Sequence, residues 1–315
     1  MHIKKLVLYS SFLATLIVGA KLYEENKYYN QFIEEVDNHV ASNDHDNTVV
    51  AHRGFSSLYV ENSVEAIINA FDSDCIDEVE IDIRLSKDNK IVLMHNKYIN
   101  LNCNGKGKVN NKTLEQLKKY EYKQSSFITS ETSSPDKKLI NKRNKENQKN
   151  ISEILTLEEV LKMLNNDKTL ILDVKTDKDE INFSRELEDI LSKYKGKLNI
   201  KIQSTDKLFL EIMKKKMPKY SYQMVIKNEK DLSYINSEYD SLVIKHTLVT
   251  DEVIEECMNN DKKVYVWTIN SYNEYMRLKD KLQNHFDDII IVSDNPDVMC
   301  YLNNCSDKKL TKIKK

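Results

Sequence analysis

The chain has 315 residues, of which 40% are hydrophobic, and this is enough for one substantial core in a single domain with an extension. Its 48 basic and 50 acidic residues leave a formal net charge of -2, which excludes a global positive field that would attract nucleic acid. The five cysteines form no CxxC pair and no His/Cys zinc spacing, which argues against a disulfide framework or a structural zinc site and favours free thiols.

The N-terminus has the layout of an export signal. Lys4 and Lys5 precede the uncharged, largely apolar residues 6–20, and Lys21 closes this run. The positive-inside rule keeps the first two lysines in the cytoplasm and sends the rest of the chain outward. Residues 1–25 are therefore predicted to be a signal anchor or a signal peptide. We favour a retained single-pass anchor in a cell membrane; cleavage would instead give a secreted protein.

The remaining sequence alternates predicted strands with amphipathic helical segments. Residues 26–46 are polar with scattered apolar positions and are predicted to form a helical stalk or linker. The predicted strands are 48–52, 78–85, 90–95, 169–175, 199–204, 220–226, 241–246, 263–269 and 288–294. This alternation is typical of parallel βαβ units, and near-continuous apolar strands are buried on both faces. Residues 47–302 are thus predicted to form an α/β fold, a (β/α)8 TIM barrel, followed by a basic polar tail at 303–315. An open doubly wound sheet is the alternative.

One segment interrupts the alternation. Residues 123–150 contain few apolar residues and many Ser, Lys, Asn and Glu, which predicts an exposed, mobile insertion in the barrel. A basic ligand-binding patch is the alternative, but runs of charge in such a segment usually form a solvated loop.

Charged and imidazole side chains stand in strands that should otherwise be apolar. They are His52, Arg53, Glu80, Asp82, His95, Asp173 and Lys175. A period of two puts Glu80 and Asp82 on one strand face, and likewise Asp173 and Lys175. Because the C-terminal ends of barrel strands meet at one mouth, we expect these side chains to lie together there.

Three carboxylates at one mouth would repel each other unless a cation lay between them. Oxygen ligands suit Mg²⁺ or Ca²⁺, so a divalent metal is the predicted cofactor. Arg53 and Lys175 beside that metal would complete a phosphate pocket, and the two imidazoles could act as acid and base. Each residue taken alone is more often structural, whereas the set in strand-end positions indicates catalysis.

Two segments carry a resemblance to a known family. AHRGFSSLYVENSVEAIINAF (51–71) is similar to the HRG…PENT…AF signature of the glycerophosphodiester phosphodiesterases, and EVEIDIRLSKDNKIVLMHN (78–96) is similar to their E-x-D…T-x-D-G…V-x-H-D block. Shorter matches follow in order at 154–161, 172–175, 202–206, 266–270 and 292–297. The resemblance covers nearly all of 48–297. It implies a barrel like that of phosphatidylinositol phospholipase C and hydrolysis of small glycerophosphodiesters to sn-glycerol 3-phosphate and an alcohol.

The resemblance also implies roles for individual positions. These are catalysis for His52 and His95, metal binding for Glu80, Asp82 and Asp173, substrate binding for Arg53, Lys175 and Trp267, and support of the first loop for Glu61 and Asn62. Ordinary barrel packing is an equal alternative for Trp267. Of the two histidines, we favour His95 as the acid and His52 as the base.

Four positions depart from the family pattern. Val60 replaces the usual proline and Ser63 the usual threonine, and both changes are conservative. Asn96 replaces the aspartate after the second histidine; it carries no charge, so His95 is expected to be less basic than in a typical member. Asp173 replaces a glutamate and resembles the aspartate of the related sphingomyelinase D-like enzymes, which bears on the substrate more than on the chemistry.

Two other interpretations stay open. One keeps the site but changes the substrate, with phospholipase D-like action on a lysophospholipid or on a glycerophosphate polymer. The other is a catalytically inactive barrel that acts as a binding module. Release of glycerol 3-phosphate from glycerophosphocholine would separate them.

Overall fold

The structure is a computed structural model that describes residues 30–36, 48–123, 137–164, 168–194, 196 and 198–305. Its strands are β1 (Val49–Ala51), β2 (Glu78–Leu85), β3 (Ile91–Leu93), β4 (Thr169–Val174), β5 (Asn199–Ser204), β6 (Ser221–Ile226), β7 (Ser241–Lys245), β8 (Lys263–Trp267) and β9 (Ile289–Ser293). All except β3 pair in parallel, and β1 pairs with both β2 and β9. The sheet is therefore a closed barrel of eight parallel strands, which confirms the predicted TIM barrel and rules out the open sheet.

The strand β3 differs from the expected parallel arrangement. It pairs antiparallel with the C-terminal half of β2, with Ile83 opposite Leu93 and Leu85 opposite Ile91, so it lies outside the barrel. A tight turn at residues 86–90 reverses the chain, and Met94 N then donates a hydrogen bond to Asp82 O at 3.0 Å. His95 therefore reaches the mouth at the end of β3, which runs back along β2 from the C-terminal end of that strand.

Helices surround the barrel between most of the strands. They are α1 (within 30–36), α2 (Val64–Asp72), α3 (Leu114–Leu117), α4 (Lys137–Asn147), α5 (Leu157–Met163), α6 (Glu180–Lys193), α7 (Lys207–Lys216), α8 (Asp251–Asn259), α9 (Tyr272–Lys281) and α10 (Pro296–Asn303). Several begin at a side-chain cap that satisfies a free backbone N–H. At α2, Ser63 accepts a hydrogen bond from Ala66 N at 3.1 Å, and at α5, Thr156 and Glu159 form a capping box.

One apolar layer packs inside the barrel below the mouth. It consists of Val50, Ile171, Val225, Val243, Tyr265 and Val292. Because strand side chains alternate with a period of two, the residues two positions further along the same strands face the mouth above this layer. Among them are His52, Asp173, Lys227, Trp267 and Asp294. The apolar layer thus forms the floor of a polar mouth.

The segment expected to be a polar stalk packs on the barrel where it is described. Phe32 and Val36 of α1 are buried in the main core, and the Phe32 ring meets that of Tyr301 edge to face with centroids 5.6 Å apart. The Tyr301 hydroxyl donates a hydrogen bond to Glu35. The helical part of the prediction holds for residues 30–36, but their apolar face is docked against α10.

The predicted N-terminal anchor, residues 1–25, lies outside the described residues, as does the basic tail after residue 305. Within the part of the chain that the structure describes, no helix is both long enough and apolar enough to cross a membrane. The predicted domain boundaries remain predictions.

The predicted insertion is partly helical. Residues 124–136 lie outside the described residues, but 137–147 form α4, in which Leu139, Ile140 and Arg143 are buried. The exposed character expected for 123–150 is therefore wrong for α4, because two apolar side chains and one arginine give this helix a face that packs on the barrel. Its mobility stays a prediction.

Candidate active site

The first loop is shaped by residues with positive φ. Arg53 has φ 59° and Gly54 has φ 77°, and a side chain at Gly54 would come within 2.7 Å of the Ala66 backbone. Only glycine fits this approach without strain. The turn places Arg53 N at 2.8 Å from Glu80 Oε2, to which it donates a hydrogen bond. The sequence HRG thus ties the end of β1 to β2 at the mouth.

Three carboxylates meet at this mouth. Ligand oxygens of Glu80, Asp82 and Asp173 lie within 4.8 Å of one another. The Lys175 ammonium lies 2.5 Å from Asp173 Oδ2 and 3.2 Å from Asp82 Oδ1. Two buried oxygens, Glu80 Oε1 and Asp173 Oδ1, have no hydrogen-bond partner, and Asp82 Oδ1 has only its ion pair with Lys175. Buried acceptors left without donors are costly, and a cation would satisfy them.

The protonation of the three carboxyl groups also favours a bound cation. Burial and the charge of Asp82 raise the pKa of Glu80 to about 8. Burial opposes ionisation of Asp82, but His95 and Lys175 more than offset it and hold the pKa of Asp82 well below its usual range. One carboxyl group therefore retains its proton until further positive charge arrives. The donor set fits a divalent cation with oxygen ligands.

The two histidines have different surroundings. His52 Nδ1 lies 2.6 Å from Asp294 Oδ1, and His52 Nε2 lies 3.9 Å from Glu80 Oε2. Burial and Arg53 lower the pKa of His52, but the charge and hydrogen bond of Asp294 more than offset them, so this pKa is raised. Burial lowers the pKa of His95 to about 4, against the opposing charge of Asp82. The His95 imidazole is therefore neutral near pH 7.

Arg84 fixes the position of the His95 segment. This buried side chain on β2 donates two hydrogen bonds to the His95 carbonyl oxygen, at 3.1 Å from Nε and 2.7 Å from Nη2. Its Nη1 also contacts Asp177 Oδ2 at 2.5 Å, and Lys97 lies 3.2 Å from the other oxygen of Asp177. His95 thus depends on a side chain eleven residues earlier in the chain.

Glu61 and Asn62 connect the first loop to the rest of the site. Glu61 accepts hydrogen bonds from Arg53 Nη1 at 2.7 Å and from the Tyr122 hydroxyl at 2.8 Å. Asn62, at φ 57°, accepts a hydrogen bond from Asp82 N at 2.9 Å and donates one to Asp82 Oδ2 at 3.2 Å. Both residues therefore hold groups that line the mouth.

Asn96, which replaces the family's aspartate, belongs to this network. Its amide donates a hydrogen bond to Asn102 Oδ1, and Asn102 in turn donates one to Glu61 Oε1 at 3.3 Å. The Asn96 side chain is therefore directed to the Glu61 network.

The mouth forms a cleft that is open to solvent. Its polar and aromatic lining consists of His52, Arg53, Glu80, His95, Asp173, Lys175, Gln203, Lys227, Tyr265 and Trp267. The structure brings together all the site residues predicted from the sequence, with Asp82 in the carboxylate cluster and Glu61 and Asn62 behind it. Trp267 both lines the cleft and packs, since its Nε1 donates a hydrogen bond to Val243 O at 3.0 Å.

Several residues of the site were not predicted, among them Asp294 and Lys227. Asp294 contacts His52, and Lys227 lines the mouth cleft. The sequence contains a signal for both, because Asp294 ends a predicted strand and Lys227 directly follows one, in the same period-two alternation as Asp173. Asp294 also lies in the segment VSDNPD that resembles the family.

A closed barrel whose mouth joins two imidazoles, three carboxylates and two paired cations defines a phosphodiester hydrolase of the TIM-barrel class. The sequence pattern of the glycerophosphoryl diester phosphodiesterase family matches residues 52–298. The chain therefore belongs to this family, which confirms both the family and the enzyme class predicted from the sequence.

Individual relatives agree with this assignment. The Bacillus subtilis protein YhdW, assigned by name to the glycerophosphodiester phosphodiesterases, is 24% identical over 255 residues, covering 77% of this chain and 96% of the relative. An Oleispira antarctica phosphodiesterase, solved with the product sn-glycerol 3-phosphate, has a TM-score of 0.64 at 19% identity, covering 82% of this chain and 98% of its own. The Thermotoga maritima glycerophosphodiester phosphodiesterase has a TM-score of 0.58 at 21% identity, covering 82% and 100%. Because both solved structures are less than 25% identical to this chain, their similarity establishes the fold alone.

Proposed function

We propose that this protein hydrolyses glycerophosphodiesters to sn-glycerol 3-phosphate and an alcohol, with a divalent cation bound at Glu80, Asp82 and Asp173. The observation that carries the proposal is the meeting of three partly unsatisfied carboxylates and two histidines in one cleft, within the residues that match the family. The product bound to the Oleispira antarctica relative supports the choice of substrate.

The charges around the cleft suit a phosphodiester. The cation, Mg²⁺ or Ca²⁺, would neutralise non-bridging phosphate oxygens. Arg53 and Lys175 add two positive charges that are already oriented by Glu61 and Asp173, so little reorganisation is needed when negative charge grows in the transition state.

The contact of His52 with Asp294 supports the role of base favoured for His52 from the sequence. Asp294 accepts a hydrogen bond from His52 Nδ1, which leaves Nε2 as the proton acceptor and raises its basicity, so His52 suits the general base. His95 would protonate the leaving alkoxide. Its low pKa in the free protein opposes this role, but a phosphodiester anion beside the ring would favour the imidazolium form.

The first test is release of glycerol 3-phosphate from glycerophosphocholine by the full chain. Chelation should abolish release, and either Mg²⁺ or Ca²⁺ should restore it. His52→Ala and His95→Ala should each lower kcat by roughly 100-fold or more, the usual scale of general acid-base catalysis. Full activity after exhaustive metal removal would refute the metal proposal, and near-normal turnover in either variant would refute the role of that histidine.

We further propose that residues 1–25 hold the barrel at the outer face of a cell membrane. The support is the layout of the sequence: two lysines, an uncharged, largely apolar run and a closing lysine. An outward-facing enzyme would meet glycerophosphodiesters released from lipids or from surface polymers.

A further inference from the structure

Lys227 brings a positive charge to the mouth cleft. It directly follows β6, and the period-two alternation puts it on the same strand face as Val225 in the apolar floor. Its side chain lines the cleft, and its ammonium lies 5.8 Å from the centre of the Trp267 ring. The lysine therefore faces the same space as the catalytic groups.

The other cations of the cleft are already paired with carboxylates. Arg53 pairs with Glu61 and Lys175 pairs with Asp173. Among the described residues, Lys227 forms no such pair, and its ammonium lies over the Trp267 ring. The cleft thus has one cation with no carboxylate at ion-pair distance in the described chain.

The surroundings of Lys227 favour a bound anion. Lys227 is exposed at the opening of the cleft, where partial loss of solvent and the charge of Lys175 lower its pKa against the opposing charges of Asp173 and Asp82. A negative group next to the ammonium would offset both effects. The scissile phosphate would be bound by Arg53, Lys175 and the cation proposed at the carboxylate cluster, so the anion that Lys227 suits is a second one on the substrate.

The position of Lys227 over the Trp267 ring disfavours binding of substrates whose alcohol moiety is a cation. An aromatic ring at a binding site suits a quaternary ammonium such as choline, because the ring face is electronegative. Here the Lys227 ammonium lies over the Trp267 ring, and the ring is held by its hydrogen bond to Val243 O. A choline group placed on Trp267 would meet a like charge.

We propose that Lys227 binds a second negative charge on the alcohol moiety, so that the preferred substrates are glycerophosphodiesters whose alcohol carries a phosphate or a carboxylate. This inference rests on the proposed function and narrows its substrate class. It includes short glycerol phosphate oligomers, in which a neighbouring phosphate lies one glycerol away from the scissile one.

The experiment compares kcat/KM of the metal-loaded full chain on three substrates whose alcohol moieties differ in charge. They are glycerophosphoglycerol phosphate with an anionic alcohol, glycerophosphoglycerol with a neutral one, and glycerophosphocholine with a cationic one. The wild type should prefer them in that order. Lys227→Gln should lower the ratio of anionic to neutral kcat/KM by about 10-fold, the loss expected for one charged hydrogen bond, and Lys227→Glu should reverse the order. Lys230→Gln, an exposed lysine three residues further on, is the matched control and should leave the ratio unchanged.

Each other outcome overturns the inference. If Lys227→Gln lowered kcat/KM equally on all three substrates, Lys227 would contact the scissile phosphate. If the ratio of anionic to neutral kcat/KM did not change, Lys227 would take no part in selecting the alcohol moiety. Cleavage of none of the three by the wild type would refute the proposed function together with this inference, whereas cleavage with a ratio independent of Lys227 would refute the inference alone.

Discussion

At the scale of single residues, Asp173 is the point where this chain leaves its family's pattern while keeping a carboxylate at the cluster. One of its oxygens contacts Lys175 at 2.5 Å, and the other is buried without a hydrogen-bond partner. The shorter side chain thus still presents a free oxygen beside Glu80 and Asp82.

The free oxygen of Asp173 is expected to be a ligand of the metal. Asp173→Asn should weaken Mg²⁺ or Ca²⁺ affinity and activity together, by at least about 10-fold, because an amide oxygen carries no charge to hold the ion. Asp173→Glu should keep substantial activity. Calorimetric metal titration beside the hydrolysis assay measures both effects. Unchanged metal dependence in Asp173→Asn would place the third ligand elsewhere.

Asp294 orients His52 and is itself held in place. Its backbone N donates a hydrogen bond to Asn270 Oδ1 at 2.9 Å, and its Oδ2 accepts one from Asn270 Nδ2 at 2.7 Å. Burial opposes its ionisation, but His52 more than offsets this and lowers the pKa of Asp294 to about 2, so the carboxylate is charged throughout the working pH range.

Asp294→Asn should therefore lower kcat by roughly 100-fold with little change in KM, because the imidazole loses the partner that fixes its tautomer. The variant should also lower the pKa of His52, since the raising charge is gone. A base must be deprotonated, so the acidic limb of the pH profile of kcat/KM should move to lower pH. A profile that stays in place with a reduced maximum would assign Asp294 a purely structural role.

At the scale of elements, α4 is joined to the barrel by a buried ion pair. Arg143 contacts both carboxylate oxygens of Asp297 in the first turn of α10, at 2.9 and 2.6 Å, and also Asn295 and Ser57 Oγ, the latter at 3.3 Å. Asn295 directly follows Asp294, and Ser57 lies in the first loop. The helix therefore supports the two segments that carry Asp294 and His52.

Arg143→Met should destabilise the fold by about 3–5 kcal/mol, because it leaves the Asp297 carboxylate buried without its partner. The double variant with Asp297→Leu should recover most of this loss, since no charge then stays buried. Urea unfolding measures both. Arg185→Met, at an exposed arginine paired with Glu186, is the control and should change stability by less than about 1 kcal/mol. An equally small effect of Arg143→Met would show that α4 is not joined to the barrel in this way.

At the scale of the whole molecule, the docking of α1 shortens the connection to the proposed anchor. Only residues 26–29 separate the anchor from the helical residues 30–36, and four residues span at most about 14 Å. With Phe32 and Val36 packed in the core, an anchored barrel would lie close to the membrane surface.

In its native host, the protein should remain with membranes after a high-salt wash and keep its full mass, because an inserted apolar helix is not released by screening charges. Membrane fractionation and mass spectrometry test this. A variant lacking residues 1–25 should be released while retaining hydrolysis. A soluble extracellular form that begins at Lys21 would show that the segment is a cleaved signal peptide.

The sequence by itself determined the barrel and most of the mouth. Strand spacing predicted parallel βαβ units, and the alternation of Glu80 with Asp82 placed both carboxylates on one strand face. These features depend on short-range geometry, in which successive strand side chains point to opposite faces. A resemblance carried by contiguous segments then supplied the roles.

Only the tertiary structure decided which residues meet across long stretches of chain. His52 and Asp294 are 242 positions apart, and Arg143 and Asp297 are 154 apart, so no local pattern links them. The reversed direction of β3 likewise follows from its pairing with β2. The position of Lys227 after β6 could be predicted from the sequence. That no carboxylate of the described residues pairs with it is seen only once the closed barrel brings the strand ends around one cleft.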